Sequence, residues 1–473
     1  MHKIIFILVL LVLVNGCTEP PAARPTSTAT QVGERYESEV LQHPDWSRDA
    51  AFYYANIRQH TEEGTLAALQ KALPEMRTLG AEAIVLSPVF EVGERNRRGT
   101  FGDALAVRNY RSIAPPLGTL PDLVQLVRRA HSLNMRVLLD WPLSYVSADH
   151  DWLDTMRYCF LTDTLDALIH PMQPPREDLA ELNYTNDTTL IAMMSDMQFW
   201  LDQAQIDGFS FRQSRSLESA QWKRIRAELD PSGQSLLLMT DDADPEWHYE
   251  SVDASKAATF DDLLEDVVSG RRQPGAIDDW VIRERDQYIK TAYRILALSG
   301  LRENALNGTV ADRFGKSQRV AATLSCTLHG APLLYTGQEV GNTQALSLYE
   351  KDSLIAGDTS LEMLYSKLLE TKQKEPALWN GFKGGAYERL ITYSDDDIFC
   401  FRRFRDDSEV IVAVNFSDRS IPLKLKTPLQ HTYQSIFNPQ VLSSFTNGAF
   451  SLQPHGVQVF VKQAQSFSDA GNS

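Results

Sequence analysis

The stretch LPDLVQLVRRAHSLNMRVLLDW, Leu120 to Trp141, decides the fold. Its first part, Leu120 to Leu133, repeats apolar residues at helical spacing, and its last, Arg136 to Trp141, is an apolar run of strand length. Helix hands over to strand with only Asn134 and Met135 between them. The same alternation extends in both directions, from about Ala51 to about Tyr365. Strand-like runs occur at AFYYANI (Ala51 to Ile57), AIVLSP (Ala83 to Pro88), DGFSFR (Asp207 to Arg212), SLLLMT (Ser235 to Thr240) and PLLYTG (Pro332 to Gly337). Further helical patterns lie at Leu66 to Leu79, Thr189 to Ala204 and Ser317 to Leu328. Repeated strand–helix alternation argues for a parallel sheet. The number of units suits an α/β fold of the (β/α)8 TIM-barrel type better than an open doubly wound sheet. No glycine-rich phosphate loop follows the first strand, which disfavours a dinucleotide fold.

Two regions break the alternation. Pro142 to Leu182 is polar and irregular, and predicts a short inserted subdomain after strand 3, at about 142–182. Beyond about Asn380 the helical patterns stop, and runs such as IFCFRRF and VIVAVNFS alternate in the manner of an antiparallel β domain. The expected organisation is a barrel at 45–380, a C-terminal β domain at 381–463 and a polar tail at 464–473.

The chain has 473 residues, with 46 Lys plus Arg against 62 Asp plus Glu, a formal charge of −16. That balance argues against nucleic acid or an anionic membrane surface as a partner, because phosphate binding needs positive potential. Apolar content of 43% and charged content of 23% suit a soluble globular domain. The N-terminus reads as a targeting segment. Lys3 precedes an apolar run from Ile4 to Val14, too short to span a bilayer as a mature helix. It ends in Val14-Asn15-Gly16-Cys17, which resembles a bacterial lipobox. The expectation is a lipoprotein signal peptide at 1–17, lipid on Cys17, and a flexible linker at 18–40 rich in Pro, Thr, Ser and Ala. This would make the chain a bacterial membrane lipoprotein facing the periplasm or the cell surface. The remaining cysteines, Cys159, Cys326 and Cys400, are odd in number and far apart, so neither a disulfide framework nor a metal site follows.

Seven strings, read in order, resemble the α-amylase family, the family 13 glycoside hydrolases. They are YYANIRQHTEEGT at the first strand; EVGERNRRGTFG (Glu91 to Gly102) with AVRNY (Ala106 to Tyr110); AHSLNMRVLLDW (Ala130 to Trp141); EDLAELNY (Glu177 to Tyr184); IDGF (Ile206 to Phe209); HGAPLLYTGQE (His329 to Glu339); and YEKDSLI after it. The resemblance implies a (β/α)8 barrel and retaining glycoside cleavage. That chemistry needs a carboxylate nucleophile and a carboxylic acid about 5–5.5 Å apart, at the C-terminal ends of the strands.

Alignment on those strings implies that the reacting positions have been rewritten. The nucleophile position at strand 4 is Arg212, the acid position at strand 5 is Asp241, and the third carboxylate, after strand 7, is Arg302. A guanidinium stays protonated and has no accessible lone pair, so it cannot attack an anomeric carbon. Asp241 is one methylene shorter than the expected Glu, and a shift near 1 Å can cost about 10²-fold in rate. The supporting positions change too. Ser210 stands where the family has Arg, Leu301 and Tyr145 where it has His, and Leu105 where it has a stacking Tyr. Asp140 is kept. Ser144 replaces an Asn often used for calcium, so no cofactor and no metal are expected. Arg212 and Arg302 are expected to converge on Asp241 at the barrel mouth, either as an ion-paired plug or as an anion site.

Three functions fit this pattern. The first is a catalytically inactive, lipid-anchored homologue that binds an α-glucan, an oligosaccharide or a membrane-protein partner. The second is an active α-glucan glycosidase or transferase with relocated carboxylates, drawn from Asp140, Asp241 and Asp242. The third is a structural or assembly subunit without glycan binding, by analogy with the amylase-like ectodomains of amino-acid transporter heavy subunits. The anchor has a direct test. Cys17→Ala should release the protein from the membrane fraction or block its processing, and unchanged fractionation and migration would remove the lipidated cysteine from the account.

Overall fold

The computed structural model describes residues 41–443, 445 and 450–463. The expected leader at 1–17 with Cys17, the linker at 18–40 and the tail at 464–473 lie outside the described residues.

Eight parallel strands close into a barrel: β1 (Phe52–Ala55), β2 (Ala83–Leu86), β3 (Arg136–Pro142), β4 (Gly208–Arg212), β5 (Leu237–Thr240), β6 (Ala254–Lys256), β7 (Tyr293–Ala297) and β8 (Ala331–Tyr335). Each strand pairs with its neighbour in sequence, and β8 returns to β1. The helices lie where apolar periodicity puts them, at Leu66–Leu79, Leu120–Ser132, Asp187–Ala204 and Gln318–Thr327. Local chemistry fixes their ends. Thr65 Oγ1 accepts the Ala68 N–H at the start of the first, and Gly80, at φ 112°, closes it in a left-handed conformation that costs glycine little. Neither β6 nor β7 is among the strand-like runs read from the sequence, where strand 7 enters only through the resemblance, ahead of Arg302. β6 has only three residues, Ala-Ser-Lys, and carries no apolar run.

The period of two along each strand sorts side chains into two cores. Phe52 and Tyr54, Val85, Leu138, Leu237 and Met239, Ala254, Ile295 and Ala297 point into the barrel. Tyr53, Ile84, Leu86, Val137, Leu139, Phe209, Phe211, Leu238 and Leu296 point outward against the helices. The same parity, carried to the C-terminal strand ends, aims Asp140, Ser210, Arg212, Asp241 and Lys256 inward. Positions two apart on one strand share a face, so the chemistry of the mouth is fixed by the packing below it.

The insert after β3 contains Tyr145–Ser147 paired antiparallel with Leu179–Glu181. C-terminal to the barrel, β9 (Ala386–Arg389), β10 (Ile398–Arg405), β11 (Ser408–Asn415), β12 (Tyr433–Ser435), β13 (Leu442–Ser443) and β14 (Val457–Lys462) form one antiparallel sheet, in the order β9-β10-β11-β14-β12-β13. One face, with Phe399, Phe401, Val410 and Val412, joins the core that surrounds the barrel. The other, with Ile398, Cys400, Ile411 and Phe460, builds a core of its own. Cys159, Cys326 and Cys400 are buried and unpaired with one another.

Candidate functional site

Inside the mouth, β3 and β4 run in a register that sets Asp140 beside Ser210 and Pro142 beside Arg212. Asp140 therefore sits one inward-facing layer below Arg212 on the neighbouring strand. Its carboxylate is fully buried, and Arg212 Nε donates to Oδ1 at 2.9 Å and Oδ2 at 3.0 Å. Tyr54 donates its hydroxyl to Asp140 Oδ2, and the Arg212 guanidinium lies 5.4 Å from the centre of the Tyr54 ring. Burial alone would lower the Arg212 pKa, but Asp140 and Tyr54 outweigh it and hold the guanidinium well above its ordinary value. Burial likewise raises the Tyr54 hydroxyl, with Asp140 adding to the shift. Arg212 is thus a fixed cation at the C-terminal end of β4.

Asp241 ends β5 on the same inner face, and its partners are local. Gln213, just after β4, adopts a left-handed conformation at φ 53°. This turn presents two consecutive backbone donors, an arrangement suited to an anion. Gln213 N–H donates to Asp241 Oδ2 at 2.8 Å, and Ser214 N–H and Oγ–H donate to Oδ1 at 3.1 and 2.7 Å. Arg302 turns instead to the buried Asp103, at 3.5 Å, which already pairs with Arg176 at 2.9 Å. Arg212, Asp241 and Arg302 line one cavity at the mouth, but the expected ion-paired plug is corrected: among the described residues no ion pair joins either guanidinium to Asp241. The physical reason is competition. Asp140 and Asp103 are buried carboxylates within reach of the two guanidiniums, whereas Asp241 has three donors from the adjoining turn.

A cavity of about 290 Å³ opens here, lined by Leu105, Arg212, Gln213, Asp241, Lys256, Leu301, Arg302 and Glu303. A smaller space of about 40 Å³ lies against Ser210, Arg212, Asp241 and Glu303. The structure thus brings together Leu105, Ser210, Arg212, Asp241, Leu301 and Arg302, with Asp140 paired to Arg212. Ser144 and Tyr145 line neither space; Tyr145 belongs to the strand pair of the insert. Asp242 is partly exposed and pairs with Arg215, away from the cavity lining.

Two charged cavity residues escaped the sequence reading. Lys256, at the end of β6, donates to Glu303 Oε1 at 2.6 Å. Burial would raise the Glu303 carboxyl, but Lys256 and Arg212 outweigh it and hold it at about 2. Glu303 stands immediately after Arg302, and the resemblance gave it no role. Among the described residues no cluster of His, Cys, Asp and Glu could hold a metal ion.

A search against family models matches residues 42–163 to the model described as alpha amylase, catalytic domain. The chain is 22% identical to alpha-amylase 3 of Dictyoglomus thermophilum over 446 residues, covering 79% of this chain and 85% of that protein. It is 38% identical to a probable alpha-glucosidase of Rhizobium meliloti over 113 residues, 23% of this chain and only 19% of that protein. Among solved structures, the maltogenic alpha-amylase AmyB of Thermotoga neapolitana aligns with a TM-score of 0.77 at 20% identity, over 87% of this chain and 98% of that one.

The Lys256–Glu303 pair yields a pH prediction. The folded pKa of Glu303 lies below its unfolded value, so the pair stabilises the fold fully above about pH 5 and loses that contribution as pH falls towards 2. The stability gap between wild type and Glu303→Gln, measured by urea unfolding, should shrink by about half between pH 5 and pH 3. A gap that stays constant over that interval would show that Glu303 is not ionised by its cationic neighbours.

Proposed function

We propose that the chain is a carbohydrate-binding member of the α-amylase family, which holds an α-glucan or related oligosaccharide at the barrel mouth without cleaving it. The observation that carries this reading is the Arg212–Asp140 pair. Retaining cleavage requires a carboxylate that attacks the anomeric carbon and an acid across from it. The guanidinium that ends β4 supplies no nucleophile, and the kept Asp140 lies beneath it, occupied by Arg212 and Tyr54. The volume of the cavity, its amide and carboxylate groups and the apolar edges of Leu105 and Leu301 suit a sugar ring.

A second reading has its own support. The relatives named above are called an alpha-amylase and an alpha-glucosidase, and two carboxylates, Asp241 and Glu303, line the same cavity. In an active enzyme Glu303, held ionised, would be the nucleophile and Asp241 the acid. One pair of assays separates the readings. Purified protein incubated with maltoheptaose should retain it in equilibrium dialysis while releasing no shorter sugar. Product release abolished by Asp241→Asn or Glu303→Gln would establish the second reading in place of the first.

A further inference from the structure

The two guanidiniums of the mouth are under-used. Arg212 donates through Nε alone, and among the described residues neither of its Nη groups has a hydrogen-bond partner. Arg302 makes no hydrogen bond there at all. Its Nη1 is buried, and its 3.5 Å approach to Asp103 lies within ion-pair range but is not a hydrogen bond. Buried polar groups are nearly always satisfied, so Arg302 Nη1 asks for a partner, while the Arg212 side chain borders the cavity with its Nη groups unengaged. Guanidinium groups are donors only, and their paired N–H edges match the two oxygens of a carboxylate or the oxygens of a phosphate.

The leftover acceptors point to the rest of the ligand. Glu303 Oε2 and Gln213 Oε1 are buried without a hydrogen-bond partner, and both residues line the same cavity. Each can take a proton from a hydroxyl, which an oxyanion cannot supply but a sugar can. The carboxylates already present do not compete for the guanidinium edges: Asp241 is held by the Gln213–Ser214 turn and Glu303 by Lys256. The lining itself carries Arg212, Lys256 and Arg302 against Asp241 and Glu303, with Asp140 and Asp103 behind it pairing the two guanidiniums from the side away from the cavity lining.

We propose that the barrel mouth recognises an acidic sugar, a hydroxylated ring carrying a carboxylate or phosphate group, with the oxyanion on the Nη edges of Arg212 and Arg302 and the hydroxyls on Glu303 and Gln213. This rests on the carbohydrate-binding reading and narrows its ligand class. A neutral glucan would satisfy the acceptors and leave the guanidinium edges to water.

Titration calorimetry of the purified full chain with D-glucuronate, glucose 6-phosphate, glucose and maltotriose tests it. At least one of the two charged sugars should bind about ten-fold tighter than glucose, the gain expected of charge-assisted hydrogen bonds, and the tighter of the two identifies the oxyanion. The preference should shrink in 1 M NaCl and vanish in Arg302→Gln, a change that leaves Asp103 its pairing with Arg176. Arg212→Gln would strand Asp140, so it is paired with Asp140→Asn, and that double variant should also lose the preference. Glucose and maltotriose binding as tightly as glucuronate and glucose 6-phosphate would overturn the acidic-sugar inference and leave carbohydrate binding standing. An undiminished preference in Arg302→Gln would also overturn it. Binding of none of the four would bring down both.

Discussion

Taking a carboxylate out of water into a barrel costs several kcal/mol unless a cation and further hydrogen bonds meet it there. Asp140 is fully buried, and it is met by Arg212 from the neighbouring strand and by Tyr54 from β1. That requirement organises the mouth. Asp140 draws the guanidinium down through Nε, which turns the remaining edge towards the cavity and keeps it apart from Asp241. The chain then satisfies Asp241 from the turn after β4, where Gln213 accepts a left-handed backbone to aim two amides at it. The same logic recurs at Asp103, which holds Arg176 and approaches Arg302.

The barrel makes these encounters unavoidable. Inward residues alternate along every strand, and parallel neighbours set them side by side. The residues that end β3, β4, β5 and β6 on the inner face must therefore share one small volume, whatever their charge. A chemical change at one strand end is answered at the next. The Arg212 charge at the end of β4 is tolerated because Asp140 lies diagonally below it, and that of Lys256 because Glu303 follows β7 at hydrogen-bond distance. The mouth is thus a set of paired charges with donor and acceptor edges left over, rather than a field of uncompensated charge.

Much of this was legible in the sequence, and the residues show why the rest was not. The helices at Leu66–Leu79 and Leu120–Ser132 declare themselves by apolar spacing, and β3 by its run of buried residues. The strings around Arg212, Asp241 and Arg302 pointed to one end of the barrel for all three, and they do line one cavity there. β6 was invisible because three residues ending in Lys carry no period, and with it went Lys256. The choice of partners was out of reach for a different reason. Sequence alignment gives the strand end on which a charge sits, but Arg212 chooses Asp140 over Asp241 by register, depth and the donors of Gln213 and Ser214. Those are properties of neighbouring strands and a left-handed turn.

The central claim is that Arg212 and Asp140 are one unit, retained because each is the other's condition for being buried. A double-mutant cycle with Arg212→Met and Asp140→Asn, read by urea unfolding at pH 7, tests it directly. Arg212→Met alone should cost about 3–5 kcal/mol, because it leaves a buried carboxylate without its cation. Adding Asp140→Asn should return at least about 1 kcal/mol of that loss, the scale of coupling between contacting charges. Losses that simply add would mean that the two side chains are independent, and would contradict the account of the mouth built on their pairing.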